Sequence, residues 1–293
     1  MIRVPESARR DLLQVCKRLY ERGLVAGADG NVSIRISKQH LLATPTGMSK
    51  GSVGPEDLVV CDLAGKQLDG ARRLTTEIKI HLAAYSERED VCAVVHAHPP
   101  FATAFAVAGM TPSETLMPEA YIAVGRVALA PYGTPSTDEL SERLRASLRE
   151  HDSVLLANHG AMTLGRDVIG AYHRMEALEQ LCRITTITRT LGSARALGAE
   201  EIAKLDAIRG VYGAPASNAP CWHCGRLPES YEPPRPAAAA GAASPTGAGG
   251  EPAVHWPGNP PVWQRPDRQP SIPEAQVRDL ARRALRELQR ESP

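Results

Sequence analysis

The sequence predicts a single α/β or α+β domain of about 210 residues followed by a tail of different character. Three observations carry this. Apolar residues recur in short segments whose period alternates between the two-residue repeat of strands and the 3.6-residue repeat of helices. Short turns separate the segments. Near residue 214 the pattern stops, and Pro, Ala and Gly take over.

Taken in order, residues 6–23 (ESARRDLLQVCKRLYERG) place Leu12, Leu13, Cys16, Leu19 and Tyr20 at helical spacing, with Gly23 as a stop. NVSIRIS alternates as a strand, LLATPTG runs into a loop, and DLVVCDLAG is a strand closed by a turn. LTTEIKIHLAAYSER follows as a helix, DVCAVVHAH as a strand and GRVALAPY as another. STDELSERLRASLRE is a helix with Ser136 or Thr137 as its cap and Glu139 in its first turn. SVLLANHGAMTLG is a strand, a turn and a strand, and DVIGAYHRMEALEQLCRITTITRTLG is one long helix.

Apolar residues make up 43% of the 293, enough for a core, and a formal net charge of +1 offers no broad field to nucleic acid or an acidic membrane surface. No apolar run reaches the length of a membrane span. The opening MIRVPESARRDLLQ turns polar and helical at once and lacks the apolar stretch of a secretory signal. Cys16, Cys61, Cys92 and Cys182 stand singly among apolar neighbours and read as small core residues; only Cys221 and Cys224 form a pair. This is not a disulfide framework, so the cytoplasm is the expected location.

The chemistry gathers at a few positions. His96 and His98 in VVHAH project from the same side of a strand. Two readings are open: polar residues where a strand leaves the core, or metal ligands. His159 in LLANHGAM ends another apolar strand, and three histidines at strand ends match a catalytic zinc site with an open fourth position. Glu77 sits at a helix start, where the helix dipole alone would favour an acid. His81, one turn on, reads as a satisfied core histidine, and Lys79 should point elsewhere on the helix.

GADGNVSIR, TPTGM, LTTEIKIHLAAY, VVHAHPPFATA and LLANHGAM, in that order, resemble the class II aldolase/adducin family over roughly residues 6 to 213. The resemblance implies a three-layer α/β domain spanning residues 1–213, with a central, mainly antiparallel sheet flanked by helices. It also implies a homotetramer with active sites at subunit boundaries. By the same resemblance His96, His98 and His159 would hold one zinc ion per subunit, or another divalent metal, and Glu77 would be the acid/base carboxylate that also coordinates the resting metal. Gly30, Asn31, Thr46, Gly47, Thr75 and Thr76 match the segments that bind a substrate phosphate. Hydroxyls, an amide and backbone N–H groups at turns suit that dianion, although each pair is also an everyday turn or cap.

The implied reaction is cleavage of a deoxy-ketose 1-phosphate of the fuculose or rhamnulose type to dihydroxyacetone phosphate and an aldehyde such as lactaldehyde. The metal would act as a Lewis acid with no Schiff-base lysine, and Glu77 would move the proton at C3, a task that calls for a raised pKa. Tyr121 in MPEAYIAVG matches a tyrosine that reaches across the subunit boundary to the aldehyde oxygen, with Glu119 as a rival acid, and Tyr212 in GVYGA matches a second tyrosine. Pentulose-phosphate 4-epimerases, methylthioribulose-1-phosphate dehydratases and non-catalytic adducin heads share the scaffold. The epimerases carry Asp at the position of Glu77, the dehydratases lack an acid there, and the adducin heads lack the histidines. Glu77 and Tyr121 with the triad therefore favour cleavage, and a decarboxylase stays open.

Residues 214–270 read as a Pro/Ala/Gly-rich linker that also carries CWHCG, a weak metal or redox motif. Residues 271–293 read as an amphipathic helix with a Ser271/Glu274 capping box and a stripe of Val277, Leu280, Ala281, Ala284 and Leu288. A short amphipathic helix on such a tether resembles the encapsulation peptides of bacterial microcompartment cargo enzymes, which dock on a shell protein. The alternatives are a helix that folds back on its own tetramer and, more remotely, one that lies on a membrane surface.

Overall fold

The computed structural model describes residues 2–208. Tyr212, the Cys221/Cys224 pair, the linker and the terminal helix expected at 271–293 lie outside them. Helix α1, Glu6–Glu21, buries Leu12, Val15, Cys16 and Leu19 and stops where Gly23 takes φ 67°. Tyr20, expected on the buried stripe, is turned outward at 52% exposure. The strands are β1 (Asn31–Arg35), β2 (His40–Ala43), β3 (Val59–Asp62), β4 (Gln67–Asp69), β5 (Ala93–Ala97), β6 (Val127–Ala130), β7 (Ser153–Leu156) and β8 (Gly160–Gly165). Between and after them come α2 (Ile78–Glu87), α3 (Pro100–Val107), α4 (Asp138–Glu150), α5 (Val168–Thr190) and α6 (Ala199–Ile208).

One sheet joins the strands in the order β4-β3-β2-β1-β5-β8-β7-β6, antiparallel throughout except for the parallel pair β6–β7. Each face carries its own core. Val32, Ile34, Val95 and Ala97 pack with Leu12, Phe105 and Met175, which belong to α1, α3 and α5. Leu41, Val94, Val154 and Met162 pack with Ile80, Ala84, Leu140 and Leu144, which belong to α2 and α4. The three expected layers are there, and so is the mainly antiparallel sheet.

Several elements differ from expectation. The start of LLATPTG is paired as β2, and β4 extends the sheet beyond the turn of DLVVCDLAG. The proline-led segment after His98 forms α3, with Pro100 at a first-turn position where its missing N–H costs nothing. Thr137 occupies the cap position of α4 without a side-chain capping bond; its hydroxyl donates to the Thr134 carbonyl instead, and Glu139 accepts from the Thr134 N–H and hydroxyl. Residues Ala120–Val124 form a short π-helical turn. Cys16, Cys61 and Cys182 are free and buried, as small core residues should be, whereas Cys92, buried as expected, is disulfide-bonded and does not stand singly. Among the described residues no helix is long and apolar enough to cross a membrane.

Candidate active site

Strand alternation decides where the first histidine goes. In β5, Ala93, Val95 and Ala97 face the α1/α5 core, whereas Val94 faces α2 and α4. His96 shares the parity of Val94 and so emerges on the α2 side. His98 follows just past the strand, before Pro99 and Pro100 turn the chain into α3. His159 comes from the turn between β7 and β8, where Asn158 adopts φ 57°. Because β8 pairs with β5, that turn is carried against His98. Gly160 permits the approach: a Cβ there would stand 2.5 Å from His98 Cδ2 and 2.6 Å from the Ala97 carbonyl oxygen.

The three rings form a near-equilateral cluster, with centroids 5.0, 4.7 and 5.0 Å apart. One ligand atom from each lies within 4.8 Å of the others. Hydrogen-bond polarity shows what the cluster is built for. His96 Nδ1 contacts the Ala161 carbonyl at 2.9 Å, and a carbonyl only accepts, so this nitrogen carries the proton. His98 Nδ1 faces the Asp29 carboxylate at 3.3 Å and is protonated for the same reason. Burial first, then His96 and His159, lower the His98 pKa to about 4, so that ring is neutral. With both Nδ1 atoms donating, the two Nε2 lone pairs meet at 3.2 Å. Two acceptors turned on one another repel unless a cation sits between them. The donor set therefore fits a divalent metal with three imidazole ligands.

Glu77 closes the site. It occupies the residue before α2 yet makes no capping bond, so it is not there as a helix-start acid. Its Oε2 lies 3.4 Å from His96 Nε2 and its Oε1 3.2 Å from His159 Nε2. Burial works to raise its pKa, and the neighbouring His159 and His96 rings work to lower it. His159 Nδ1 is buried with no hydrogen-bond partner among the described residues. Lys79 points away, as expected, to Asp138 on α4 at 2.9 Å.

A pocket of about 240 Å³ opens over Glu77, His98 and His159. Gly30, Asn31, Thr46, Gly47, Thr75 and Thr76 all line it. The three candidate pairs for phosphate contact, far from one another in sequence, thus line one pocket. Asp29 and Ser136 line it too, and neither was a site candidate from sequence. Ser136 adopts φ 66°, a strained conformation for a side-chain-bearing residue, and its hydroxyl donates to Thr76 Oγ1 at 3.0 Å. Its signal in the sequence was that of an ordinary helix cap. Lys50 was also missed. Only 2% exposed, its ammonium donates to the Ala28 carbonyl at 3.1 Å and the Met48 carbonyl at 2.7 Å.

Tyr121 is not brought to this pocket within one chain. It lies in the π-helical turn, and its hydroxyl donates to Asp206 of α6 at 2.8 Å. Glu119, its rival, is exposed at the start of the same turn.

The model of the family described as the Class II Aldolase and Adducin N-terminal domain matches residues 10–186. An L-fuculose phosphate aldolase of Methanococcus maripaludis (strain C5) is 37% identical over 182 residues, covering 62% of this chain and 97% of that protein. A 3-oxo-tetronate 4-phosphate decarboxylase of Escherichia coli (strain K12) is 32% identical over 209 residues, covering 69% of this chain and 97% of its own. A solved L-fuculose 1-phosphate aldolase superposes with a TM-score of 0.64 at 28% identity, covering 69% of this chain and 95% of that one.

Proposed function

Because the chain belongs to the class II aldolase and adducin family, we propose that it is a metal-dependent aldolase that cleaves a deoxy-ketose 1-phosphate to dihydroxyacetone phosphate and an aldehyde. The observation that carries this reading is the convergence of His96 Nε2, His98 Nε2, His159 and the Glu77 carboxylate beside a pocket of about 240 Å³ lined by the candidate phosphate residues. A bound divalent cation supplies Lewis-acid stabilisation of the negative charge that breaking C3–C4 leaves on the C2 and C3 oxygens. His96, His98 and His159 would hold it, with zinc the ion that three imidazoles favour.

The chain's own groups account for the rest. Thr46, Thr75 and Thr76 offer hydroxyls, and the Gly30 and Gly47 turns offer backbone N–H groups, to the phosphate at one end of the ketose. With the phosphate anchored there, C3 is brought to the carboxylate of Glu77. In the cleavage direction the protonated Glu77 carboxyl gives its proton to C3 and is left ionised, while the proton of the C4 hydroxyl leaves through Tyr121 to solvent; in the reverse direction the Glu77 carboxylate removes the C3 proton. Tyr121, lying off the pocket of its own chain, would serve the aldehyde oxygen of a neighbouring copy in a tetramer, and Tyr212, the match to a second tyrosine of the family, would be a further catalytic residue.

The test is release of dihydroxyacetone phosphate from fuculose, rhamnulose and ribulose 1-phosphates, with and without chelator. Cleavage of at least one ketose is expected, lost on metal removal and restored by zinc. Equal turnover in the metal-free protein would remove the proposal. The decarboxylase relative gives a second reading its ground, and carbon dioxide release from 3-oxo-tetronate 4-phosphate in the same panel separates the two.

A further inference from the structure

Glu77, His81 and Tyr85 stand at four-residue intervals and so form one row at the start and along the face of α2. Asn31 and Ser33 stand two apart on the face of β1 opposite Val32 and Ile34, and they meet that row. The two rows interlock. Asn31 Nδ2 donates to Glu77 Oε2 at 2.7 Å, and Asn31 Oδ1 contacts His81 Nε2 at 2.5 Å. His81 Nδ1 contacts Ser33 Oγ at 2.7 Å, and Ser33 Oγ contacts the Tyr85 hydroxyl at 2.8 Å. Asn31, Ser33, His81 and Tyr85 are all buried.

The protons in this series have only one consistent arrangement. An ionised carboxylate accepts and never donates, so Glu77 must face the amide nitrogen of Asn31. The amide oxygen is then turned to His81 and requires a proton on Nε2. Burial foremost, followed by the nearby His96, lowers the His81 pKa to about 3, so the ring is neutral and Nδ1 is a lone pair. Ser33 must donate to it. Tyr85, whose pKa is pushed up by burial, keeps its proton and donates to Ser33.

We infer that Tyr85, Ser33, His81 and Asn31 form a one-way hydrogen-bond chain that presents the Asn31 amide N–H to the Glu77 carboxylate, which makes His81 and Ser33 positioning residues for proton transfer at that site. This rests on the reading of Glu77 as the proton carrier. The competing arrangement shows what the chain prevents. With its proton on Nδ1, His81 would accept from the Asn31 NH2 group, and the amide oxygen would swing onto the carboxylate. Two acceptors would then face each other in a buried site, and Glu77 would lose the bond that fixes its plane. The Ser33 proton excludes that state.

The test begins on the full-length wild type with ¹⁵N-labelled histidine, its His81 signals assigned by comparison with His81→Asn. Nitrogen shifts should report a neutral His81 protonated at Nε2, with or without substrate. Ser33→Ala should leave the Nδ1 lone pair without a donor, so that the ring and the Asn31 amide it holds lose their fixed orientation. It should also lower kcat by about tenfold, the scale of a lost outer partner, with a smaller change in KM. Exchange of the C3 proton of dihydroxyacetone phosphate with solvent should slow by the same factor, because that step uses Glu77 without the aldehyde. Tyr85→Phe leaves Ser33 its proton and should cost less than Ser33→Ala. A wild-type His81 protonated at Nδ1, or doubly protonated, overturns the inference. So does a folded Ser33→Ala protein whose kcat and exchange stay unchanged. If the wild type neither cleaves a ketose phosphate nor exchanges the C3 proton, the aldolase reading fails by itself, and the tautomer measurement still decides the chain.

Discussion

His98 is held from both sides of its ring. Asp29 takes the Nδ1 proton at 3.3 Å, which leaves Nε2 as the lone pair facing His96. A carboxylate behind a histidine ligand fixes its tautomer and makes the other nitrogen more basic, so Asp29 would support the proposed metal site from behind His98. Its side chain is 49% exposed, and solvent screening puts the effect at the modest end. Asp29→Asn is expected to weaken zinc binding by about tenfold, read by competition with a chromophoric chelator. The melting temperature of the metal-free protein should stay near that of the wild type. Zinc affinity equal to the wild type's would mean that the Asp29 contact orients nothing. The sequence did not disclose this partner, because GADGN reads as a turn and only the folded loop brings its Asp to a histidine 69 positions away (98 − 29).

Between elements, one side chain ties the two loops that wall the pocket. Lys50 bonds the Ala28 carbonyl in the loop before β1 and the Met48 carbonyl in the loop after β2. Its pKa is lowered by burial, against the pull of Cys16, Asp29 and Glu77. Lys50→Met would remove a desolvated charge but strand two carbonyls, and the second effect should win by about 1–3 kcal/mol. Denaturant titration should show the lower midpoint, and KM for a phosphorylated substrate should rise as the loops part. A variant as stable as the wild type would identify the ammonium as a cost and not a tie. What the sequence disclosed here was local. Alternation put Val32 and Ile34 on one face of β1, and the glycine after His159 marked a close turn. Lys50 and Ser136 stayed hidden because their roles depend on loops meeting across the sheet edge, for which no period exists. The segment of α3 has no expectation attached to it, and its two prolines after His98 start the helix, as prolines can at a first turn. β4 is three exposed residues, too short to show a pattern.

At the scale of the whole molecule, the histidines, Glu77 and the pocket wall all lie between residues 28 and 159, inside the part matched by the family. Tyr121 lies in the same stretch, but its hydroxyl is turned to Asp206 and its proposed work needs a second copy of the chain. That makes assembly a condition of full turnover, and native mass should correspond to a tetramer. The stretch beyond residue 232 supplies no group to the proposed chemistry. Its Pro/Ala/Gly composition suits a tether, and the stripe of Val277, Leu280, Ala281, Ala284 and Leu288 suits docking into an apolar groove. We therefore propose that the terminal segment addresses the enzyme to a microcompartment shell, where a reactive aldehyde product would be confined. Deletion of residues 232–293 is expected to leave kcat/KM and the native mass of the remaining assembly unchanged. Co-sedimentation with co-expressed shell proteins should be abolished, and grafting residues 271–293 onto an unrelated soluble protein should confer it. If deletion instead lowers turnover or splits the tetramer, the segment folds back on its own assembly, and its apolar stripe is an internal contact.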